Sequence, residues 1–320
     1  MKKVTVFGGG TGLSCLLSGL KLFPVDVTAV ITVSDNGSST GVVKEELDIP
    51  AVGDVGKVLL AMANVDSDFI QLLRYRFRKE GSSLNNHPVR NILLAALIDL
   101  KGSLTEATRY MATILNIKGT VLPLTEDRVD LIGTSPDRRL EFYGEEEVSQ
   151  NIRNIARLRY DHKFRVSGEV KRRIADSDLI LFSPGSLYTS ILPHLIVDDI
   201  VNAIRDARAP IMMVSNLVTQ PGETDGYSVG DHLRVLNEHL VGRKVDLVLA
   251  NDAQIDPAII SRYLETEGKT IVGLDRDNIA RLGAKIIEGD IFTIDDAGSI
   301  RHNALKTAFM IFSYLMEQEP

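Results

Sequence analysis

A chain of 320 residues is long enough for one large α/β domain or for two small ones. Its hydrophobic content of 44% and its charged content of 25% are those of an ordinary globular protein. The net charge of −7 argues against non-specific nucleic-acid binding, because that binding needs a basic surface to offset the phosphates.

Strand-like and helix-like segments alternate along the first third of the chain. Short β-branched runs predict strands, and apolar residues at helical spacing predict helices. In chain order these are a strand at 4–7, a helix at 13–21, a strand at 27–33 and helices at 68–78, 91–100 and 105–115. Ser103, with Glu106 three residues later, is the capping signal of the last of these helices.

Continuous apolar runs in the second half are typical of strands buried on both faces of a sheet. The predicted elements here are strands at 179–182, 211–214 and 245–250, and helices at 197–206 and 229–240. Short alternating runs between about 121 and 164, with an acidic patch at 145–147, predict a β-rich insertion. We therefore expect one α/β domain over residues 1–320, a doubly wound, mostly parallel, Rossmann-like sheet with a small β-rich insertion.

A glycine-rich turn follows the first predicted strand. Glycines let the chain turn tightly and let a ligand approach the backbone, and the helix that follows directs its positive end at an anion. The spacing differs from the dinucleotide motif, because Ser14 and Cys15 stand near the place of its third glycine. We interpret the turn as phosphate-binding, with a turn that holds no ligand as the alternative; its residues are Gly8, Gly9, Gly10, Thr11 and Gly12.

A small polar loop follows the second predicted strand. In a Rossmann interpretation Asp35, at the end of that strand, binds a ribose hydroxyl. The donors of the loop could instead form an anion nest or hold a metal-bound phosphate, and a flexible surface loop is the remaining alternative. The predicted phosphate-binding residues of this loop are Ser34, Asn36, Gly37, Ser38 and Ser39.

Asp54 is a second carboxylate that could share a Mg²⁺ ion with Asp35. Two carboxylates plus the phosphates of a ligand are a usual arrangement for this cation. The alternative for Asp54 is a helix N-terminal residue favoured by the helix dipole. His87 and Asn91 stand at the start of the helix predicted at 91–100. We take Asp35, Asp54 and His87 as candidate catalytic residues and Asn91 as a candidate binding residue, with a structural histidine as the alternative for His87.

Small or polar residues end every predicted central strand. Gly185 and Ser186 follow the strand at 179–182 and form a second corner that resembles the first, which we interpret as anion-binding. Asn216 and Asn251 close the next two strands. Because the carboxyl ends of parallel strands share one edge of a sheet, these residues together predict a ligand crevice there.

Taken together, the motifs resemble the CofD/YvcK family. The resemblance extends from residue 4 to about residue 312, and it rests on G-G-G-T-G-L-S at 8–14, T-V-S-D-N-G at 32–37, His87 with Asn91, P-G-S-L-Y-T-S-I-L-P at 184–193 and N-L-V-T-Q-P-G-E-T-D-G-Y at 216–227. The chain looks closer to the YvcK branch. Its I-R-H-N at 300–303 resembles the Arg-His-Asp segment of that branch, and Tyr263 matches a tyrosine near the branch's nucleotide-sugar pocket.

This resemblance implies a UDP-sugar-binding gluconeogenesis factor that affects carbon metabolism, the cell envelope and cell shape. It implies that Tyr263 and Arg301 bind the uridine nucleotide, with Arg301 against the diphosphate. An envelope-synthesis protein is the implied partner, and we expect a homo-oligomer. The CofD branch implies an alternative, a Mg²⁺-dependent transferase of the 2-phospho-L-lactate type with a guanosine diphosphate donor. A second alternative is an NAD-binding Rossmann protein, for which Asp35 is the support.

Two departures from the family pattern alter the charge near the candidate site. The family commonly has an arginine where this chain has Gly56, and a glycine where this chain has Arg90. A third departure is Asn303, which replaces an aspartate of the YvcK branch. We hypothesise that the pocket keeps its charge while its geometry changes.

The single cysteine, Cys15, excludes an intrachain disulfide. Its apolar surroundings favour a buried structural thiol. The sequence contains no apolar run that approaches the roughly 18 residues of a membrane span. We therefore expect a soluble protein of the cytoplasm.

Overall fold

Strands in the computed structural model, which describes residues 1–318, form one large sheet and two small ones. They are β1 (Lys2–Gly8), β2 (Val25–Ile31), β3 (Thr120–Pro123), β4 (Leu131–Thr134), β5 (Glu141–Tyr143), β6 (Arg157–Tyr160), β7 (Leu179–Phe182), β8 (Ile211–Val214), β9 (Leu247–Asn251), β10 (Lys285–Gly289), β11 (Phe292–Ile294) and β12 (Ile300–His302). The large sheet has seven parallel strands in the order β10-β9-β8-β7-β1-β2-β3.

Helices cover both faces of this sheet. They are α1 (Gly10–Leu20), α2 (Ser38–Leu47), α3 (Gly53–Met62), α4 (Ser67–Arg74), α5 (Val89–Lys101), α6 (Leu104–Ile114), α7 (Gly144–Gln150), α8 (Gly168–Ala175), α9 (Leu192–Leu195), α10 (Asp198–Asp206), α11 (Val229–His239), α12 (Pro257–Glu267), α13 (Arg276–Leu282) and α14 (Ala304–Glu317). Within residues 1–318, none of them has the length and apolar character needed to cross a membrane.

The strand order reverses at the centre of the sheet. β1 pairs with β2 on one side and with β7 on the other. In doubly wound sheets the ligand crevice forms outside the carboxyl ends of the strands at such a reversal. The predicted fold class is confirmed, and the strand ends chosen from the sequence lie along this one edge.

The apolar runs predict the central strands well. β7 and β8 have the predicted bounds, and every residue of both strands is buried. β1 and β2 lie within about two residues of their predicted limits. The helix α6 begins after Ser103, whose side chain accepts a hydrogen bond from the backbone N–H of Glu106, as the capping signal predicts.

One predicted helix and one predicted loop need correction. The helix expected at 68–78 ends at Arg74, because Tyr75 turns into extended backbone and Arg76 then pairs with Pro88 in an isolated antiparallel bridge. The loop expected after the second strand is shorter than predicted. Ser38 and Ser39 form the first turn of α2 and are not part of a free loop.

The β-rich insertion is smaller than the predicted range of 121–164. β3 lies in that range but pairs in parallel with β2, as the edge strand of the large sheet. Its Val121 and Leu122 are buried as a sheet strand requires. The insertion proper is the antiparallel sheet β5-β4-β6. The acidic patch at 145–147 belongs to α7, which connects β5 towards β6.

Candidate functional site

The two corners at the strand reversal pack directly against each other. A Cβ added at Gly8 would lie 2.1 Å from Ser183 Oγ, and one added at Gly12 would lie 2.1 Å from the carbonyl oxygen of Pro184. Neither position has room for a side chain. Contact between the two corners therefore accounts for these glycines without any ligand, as the alternative interpretation of the turn has it.

The carboxylate of Asp54 occupies the start of α1. Its Oδ2 accepts a hydrogen bond from the backbone N–H of Gly10 at 2.7 Å, and a Cβ at Gly9 would lie 2.8 Å from the same oxygen. Lys57 Nζ contacts Asp54 Oδ1 at 2.8 Å. The anion-binding position predicted for the glycine turn is thus already taken, in part, by a carboxylate of the chain itself. The side chain of Thr11 is exposed beside it.

Three carboxylates meet next to this turn. Burial, and then the charge of Asp54, raise the pKa of Asp35, although the backbone N–H of Gly37 donates to its Oδ1 at 2.9 Å. Burial and the charges of Asp35 and Asp54 raise the pKa of Glu145 to about 8. Asp35 therefore lies among other carboxylates of the chain, and the ribose contact of the NAD alternative remains a prediction.

The loop after β2 holds the insertion in place. The side-chain oxygen of Asn36 accepts a hydrogen bond from the backbone N–H of Glu146 at 3.0 Å. A Cβ added at Gly144 would lie 1.9 Å from Asn36 Nδ2, so the backbone packs closely on this amide. A Cβ at Gly37 would lie 3.2 Å from Glu146 Oε1. These contacts carry α7 over the strand end and bring Glu145 to Asp35.

His87 belongs to a separate buried cluster. Its Nδ1 lies 2.9 Å from Ser39 Oγ, which also accepts a hydrogen bond from Asn91 Nδ2 at 3.3 Å. Ser38 Oγ accepts from the side chain of Asn86 at 3.3 Å. The cluster fastens the start of α2 to the start of α5. Ser34 is likewise buried, with 1% of its surface exposed. The roles assigned to these residues in catalysis and phosphate binding remain predictions.

The second corner is also closed by a carboxylate. Asn216 donates to the carbonyl of Gly185 at 2.8 Å and accepts from the backbone N–H of Gly185 at 2.9 Å. Glu223, buried, accepts from Ser186 Oγ at 2.8 Å and from the backbone N–H of Tyr188 at 3.1 Å. Burial raises the pKa of Glu223 although these donors oppose the shift. The chain's own Glu223 thus lies against this corner, and the binding of a ligand anion by Gly185 and Ser186 remains a prediction.

Tyr263 and Arg301 meet at one short strand, β12, which contains Arg301 and whose Ile300 contacts Tyr263. The hydroxyl of Tyr263 accepts a hydrogen bond from the backbone N–H of Ile300, and its side chain is buried with 3% exposed. The Arg301 side chain is 54% exposed and contacts Asp295 Oδ2 at 3.3 Å. Tyr263 thus positions β12, and Arg301 is the member of the pair that a ligand can reach.

The segment carrying Arg301 joins α1 to the end of β8. The thiol of Cys15 donates to the carbonyl of His302 at 3.2 Å, and His302 Nε2 lies 2.9 Å from the carbonyl of Ser215. Burial raises the pKa of the Cys15 thiol and the charge of Arg301 opposes it, so Arg301 lies near α1. Cys15 is only half-buried, so the expectation of a buried thiol is not met. Asn251 also acts within the fold, because its Oδ1 accepts from the backbone N–H of Ile291 at 3.2 Å.

Asp35 and Asp54 are the carboxylates predicted to hold a metal ion at this edge. Among residues 1–318, no three His, Cys, Asp or Glu side chains are arranged as a metal-ligand set. The oxygen donors of Asp35 and Asp54 have the chemistry that Mg²⁺ prefers, and the raised pKa of Asp35 marks a place where a cation would relieve repulsion. A pair of carboxylates therefore fits Mg²⁺ when a ligand supplies the other oxygens.

Comparison with known proteins identifies the family. A sequence model of the family described as 2-phospho-L-lactate transferase CofD matches residues 4–292. The chain belongs to the CofD family. The protein named gluconeogenesis factor in Bacillus subtilis is 37% identical to it over 316 residues, which cover 98% of each chain. The gluconeogenesis factor of Halalkalibacterium halodurans is 37% identical over 308 residues, covering 96% of this chain and 94% of that protein.

A solved structure agrees with this assignment. A crystal structure of a protein from Bacillus halodurans matches with a TM-score of 0.91 and 37% identity, covering 97% of this chain and 99% of that one. The similarity to proteins named gluconeogenesis factor confirms the predicted YvcK type of this CofD-family chain. The resemblance read from the motifs is confirmed over nearly the whole chain.

Two residues of the site escaped the sequence analysis. Glu145 was one of three consecutive acidic residues and so carried no signal that set it apart from a solvated patch. Glu223 lies within the predicted N-L-V-T-Q-P-G-E-T-D-G-Y motif, where its burial against Ser186 could not be foreseen from spacing. Both residues contact partners that are far away in the sequence, and only the fold brings them to the strand ends.

Proposed function

We propose that this protein binds a nucleotide diphosphate sugar of the UDP type at the carboxyl edge of the sheet, and that it acts as a regulator without turning the ligand over. The names of its relatives connect it with gluconeogenesis, and we extend this to carbon metabolism and to envelope synthesis and cell shape under gluconeogenic growth. An envelope-synthesis protein is the partner that we propose, with the cytoplasm as its location and a homo-oligomer as its form.

The observation that carries the proposal is the position of Arg301. It stands near Cys15 of α1, half-exposed, and within residues 1–318 its one ion pair is with the partly exposed Asp295. A guanidinium in this state can exchange a weak surface pair for a diphosphate, which it binds through two parallel hydrogen bonds.

Thermal unfolding with a ligand panel tests the proposal. The panel contains UDP-N-acetylglucosamine, UDP-glucose, GDP, GTP and NAD, each with and without Mg²⁺. A ligand at about 100 times its dissociation constant adds about 2.7 kcal/mol, which is a shift of several degrees. Stabilisation by the UDP-sugars without metal, with the sugar nucleotide recovered unchanged, is the expected result. No stabilisation by any UDP-sugar overturns the proposal.

Arg301→Ala is expected to weaken UDP-N-acetylglucosamine binding by at least about 1.5 kcal/mol, the scale of a charge-assisted hydrogen bond. Isothermal titration measures the change directly. Arg109→Ala is the matched control, because Arg109 is a half-exposed arginine whose ion pairs are with Glu106 on α6 and Glu169 on α8, neither of them a candidate site residue. Equal affinities for the wild type and the Arg301 variant remove Arg301 from the binding site.

A second candidate function has a specific observation behind it, the meeting of Asp35, Asp54 and Glu145. A Mg²⁺-dependent transferase of the 2-phospho-L-lactate type needs carboxylates at such a place. When bound, the cation neutralises the leaving phosphate. Asp35 and Asp54 are the residues that would hold it, while the high pKa of Glu145 suits a group that gives or takes a proton near neutral pH.

The pH dependence of Mg²⁺ binding tests this candidate. Because a metal ion displaces protons from its ligands, Mg²⁺ is expected to stabilise the protein by several degrees at about pH 9 and by much less at about pH 5. Thermal unfolding with Mg²⁺ and GDP, compared with Mg²⁺ alone, gives the measurement. The Asp54→Asn variant is the matched comparison, because it lacks one of the two carboxylates. No Mg²⁺ effect at any pH, with no product from any donor, argues against the transferase.

A further inference from the structure

A cavity of about 550 Å³ lies against α1, and Cys15 is among the residues that line it. Its walls come from α1, α3, α4 and α5. Four cationic side chains line it together with hydroxyl groups of α1; the residues that matter are Thr11, Ser14, Lys21, Lys57, Arg74 and Arg90. A volume of this size accommodates a small ligand.

Arg90 is the unusual member of this lining. Only 7% of its surface is exposed, and its Nε has no hydrogen-bond partner within residues 1–318. Burial, followed by the charges of Arg76 and Arg74, lowers the pKa of Arg90 to about 10. A buried guanidinium beside two others of the same sign is unfavourable unless an anion compensates it.

The chain supplies too little negative charge to this cavity. Across the part of the chain that the structure describes, no carboxylate lies within 4 Å of Arg90, while Asp54 is the carboxylate paired with Lys57. Lys21 Nζ donates to the carbonyl of Ala63 at 2.7 Å, which leaves its charge unneutralised. The cavity therefore has four cationic side chains, opposed by Asp54, whose charge acts on Arg90 and Lys57, and by Asp35, whose charge acts on Lys57.

Gly56 leaves the space that the side chain of Arg90 occupies. A Cβ added at Gly56 would lie 3.1 Å from Cδ and 3.4 Å from Cγ of Arg90, so the arginine stem lies across the glycine. The first turn of α1, where the N–H of Gly10 already donates to Asp54, adds the exposed hydroxyl of Thr11 to the lining. Guanidinium groups, an ammonium group and a hydroxyl are donors that phosphate oxygens accept from.

We propose that this cavity binds a phosphate dianion, presented by a small phosphomonoester or by the diphosphate end of a nucleotide, with Arg90 as its central ligand. Lys57 and Arg74 supply further positive charge for the phosphate. Gly56 is a positioning residue, because its lack of a side chain leaves space for the stem of Arg90. The inference does not rest on the proposed UDP-sugar function, because its first test contains no nucleotide.

The test compares the wild type with Arg90→Gln by thermal unfolding and isothermal titration with inorganic phosphate and glycerol 3-phosphate, at matched ionic strength. We expect both compounds to stabilise the wild type. The Arg90→Gln variant is expected to be more stable than the wild type without phosphate, because an uncompensated buried charge is gone, and to bind phosphate at least about tenfold more weakly. Arg208→Gln, an exposed change near the amino end of β8, is the control and leaves both properties unchanged.

Two results overturn the proposal. One is no stabilisation of the wild type by either compound, and the other is unchanged phosphate affinity in Arg90→Gln. Gly56→Ala keeps the charge but displaces the arginine stem, so it is expected to weaken phosphate binding although alanine favours the helix. Competition with UDP separates the two sources, since UDP displaces inorganic phosphate from a diphosphate site and binds alongside it when the cavity takes a separate phosphomonoester.

Discussion

Glutamine in place of Glu145 is expected to raise the free energy of unfolding by about 2–3 kcal/mol at about pH 9 and to leave it nearly unchanged at about pH 5. The carboxyl of Glu145 has a pKa of about 8 in the folded protein, against an ordinary value of 4.5. The folded state therefore binds a proton that the unfolded state has lost across this window. The free energy of unfolding falls as the pH rises from about 4.5 to about 8, and the variant lacks this loss.

The magnitude follows from the environment of Glu145. One unit of pKa corresponds to about 1.4 kcal/mol, so the full shift sets an upper bound of about 5 kcal/mol. Part of the side chain is exposed, and solvent screens the repulsion from Asp35 and Asp54, which reduces the expected effect. Glutamine has nearly the shape of glutamate and carries no charge, so the comparison isolates the charge.

Denaturant unfolding at several pH values measures this effect. Glu146→Gln is the matched control, because Glu146 is the exposed neighbour on the same helix, and its loss of charge is expected to change stability by less than about 0.5 kcal/mol. A variant at position 145 that follows the pH profile of the wild type shows that the three carboxylates do not interact strongly. In that case the cluster is no longer a candidate site for proton transfer or for binding a cation.

The central sheet could be predicted because its signals are local. The runs that form β7 and β8 are continuous, apolar and bounded by polar residues, so their limits could be predicted from the sequence alone. The cap of α6 is equally local, since Ser103 and Glu106 are three residues apart. β3 has the same apolar character, yet it was assigned to the insertion because nothing near it indicates which strand it pairs with.

For the candidate site, the sequence predicts the location but not the groups that occupy it. That the strand ends gather at one edge follows from the alternation of strands and helices. What fills each corner does not, because the partners are remote in sequence. Asp54 reaches Gly10 across 44 residues and Glu223 reaches Ser186 across 37. The glycine corners predicted a bound anion at these positions, but only the fold shows that carboxylates of the chain itself reach them.

Gly12→Ala is expected to lower the free energy of unfolding by about 3 kcal/mol or more. The added methyl group would lie 2.1 Å from the carbonyl oxygen and 2.7 Å from the carbonyl carbon of Pro184, and both atoms are backbone, so neither can move aside without shifting the second corner. Gly168→Ala is the control in the first turn of another helix, where nothing lies within 4 Å of the new Cβ and alanine is expected to stabilise.

Denaturant unfolding of both variants separates two explanations of the glycine turn. If packing between the corners requires Gly12, the loss of stability occurs without ligand and is as large in the absence of a UDP-sugar as in its presence. A Gly12→Ala protein that keeps its stability but no longer binds a UDP-sugar supports the other explanation, in which the glycine is retained so that a ligand can approach the backbone. The close contact with Pro184 favours the first result, and it would limit ligand contacts at this turn to the exposed side of Thr11.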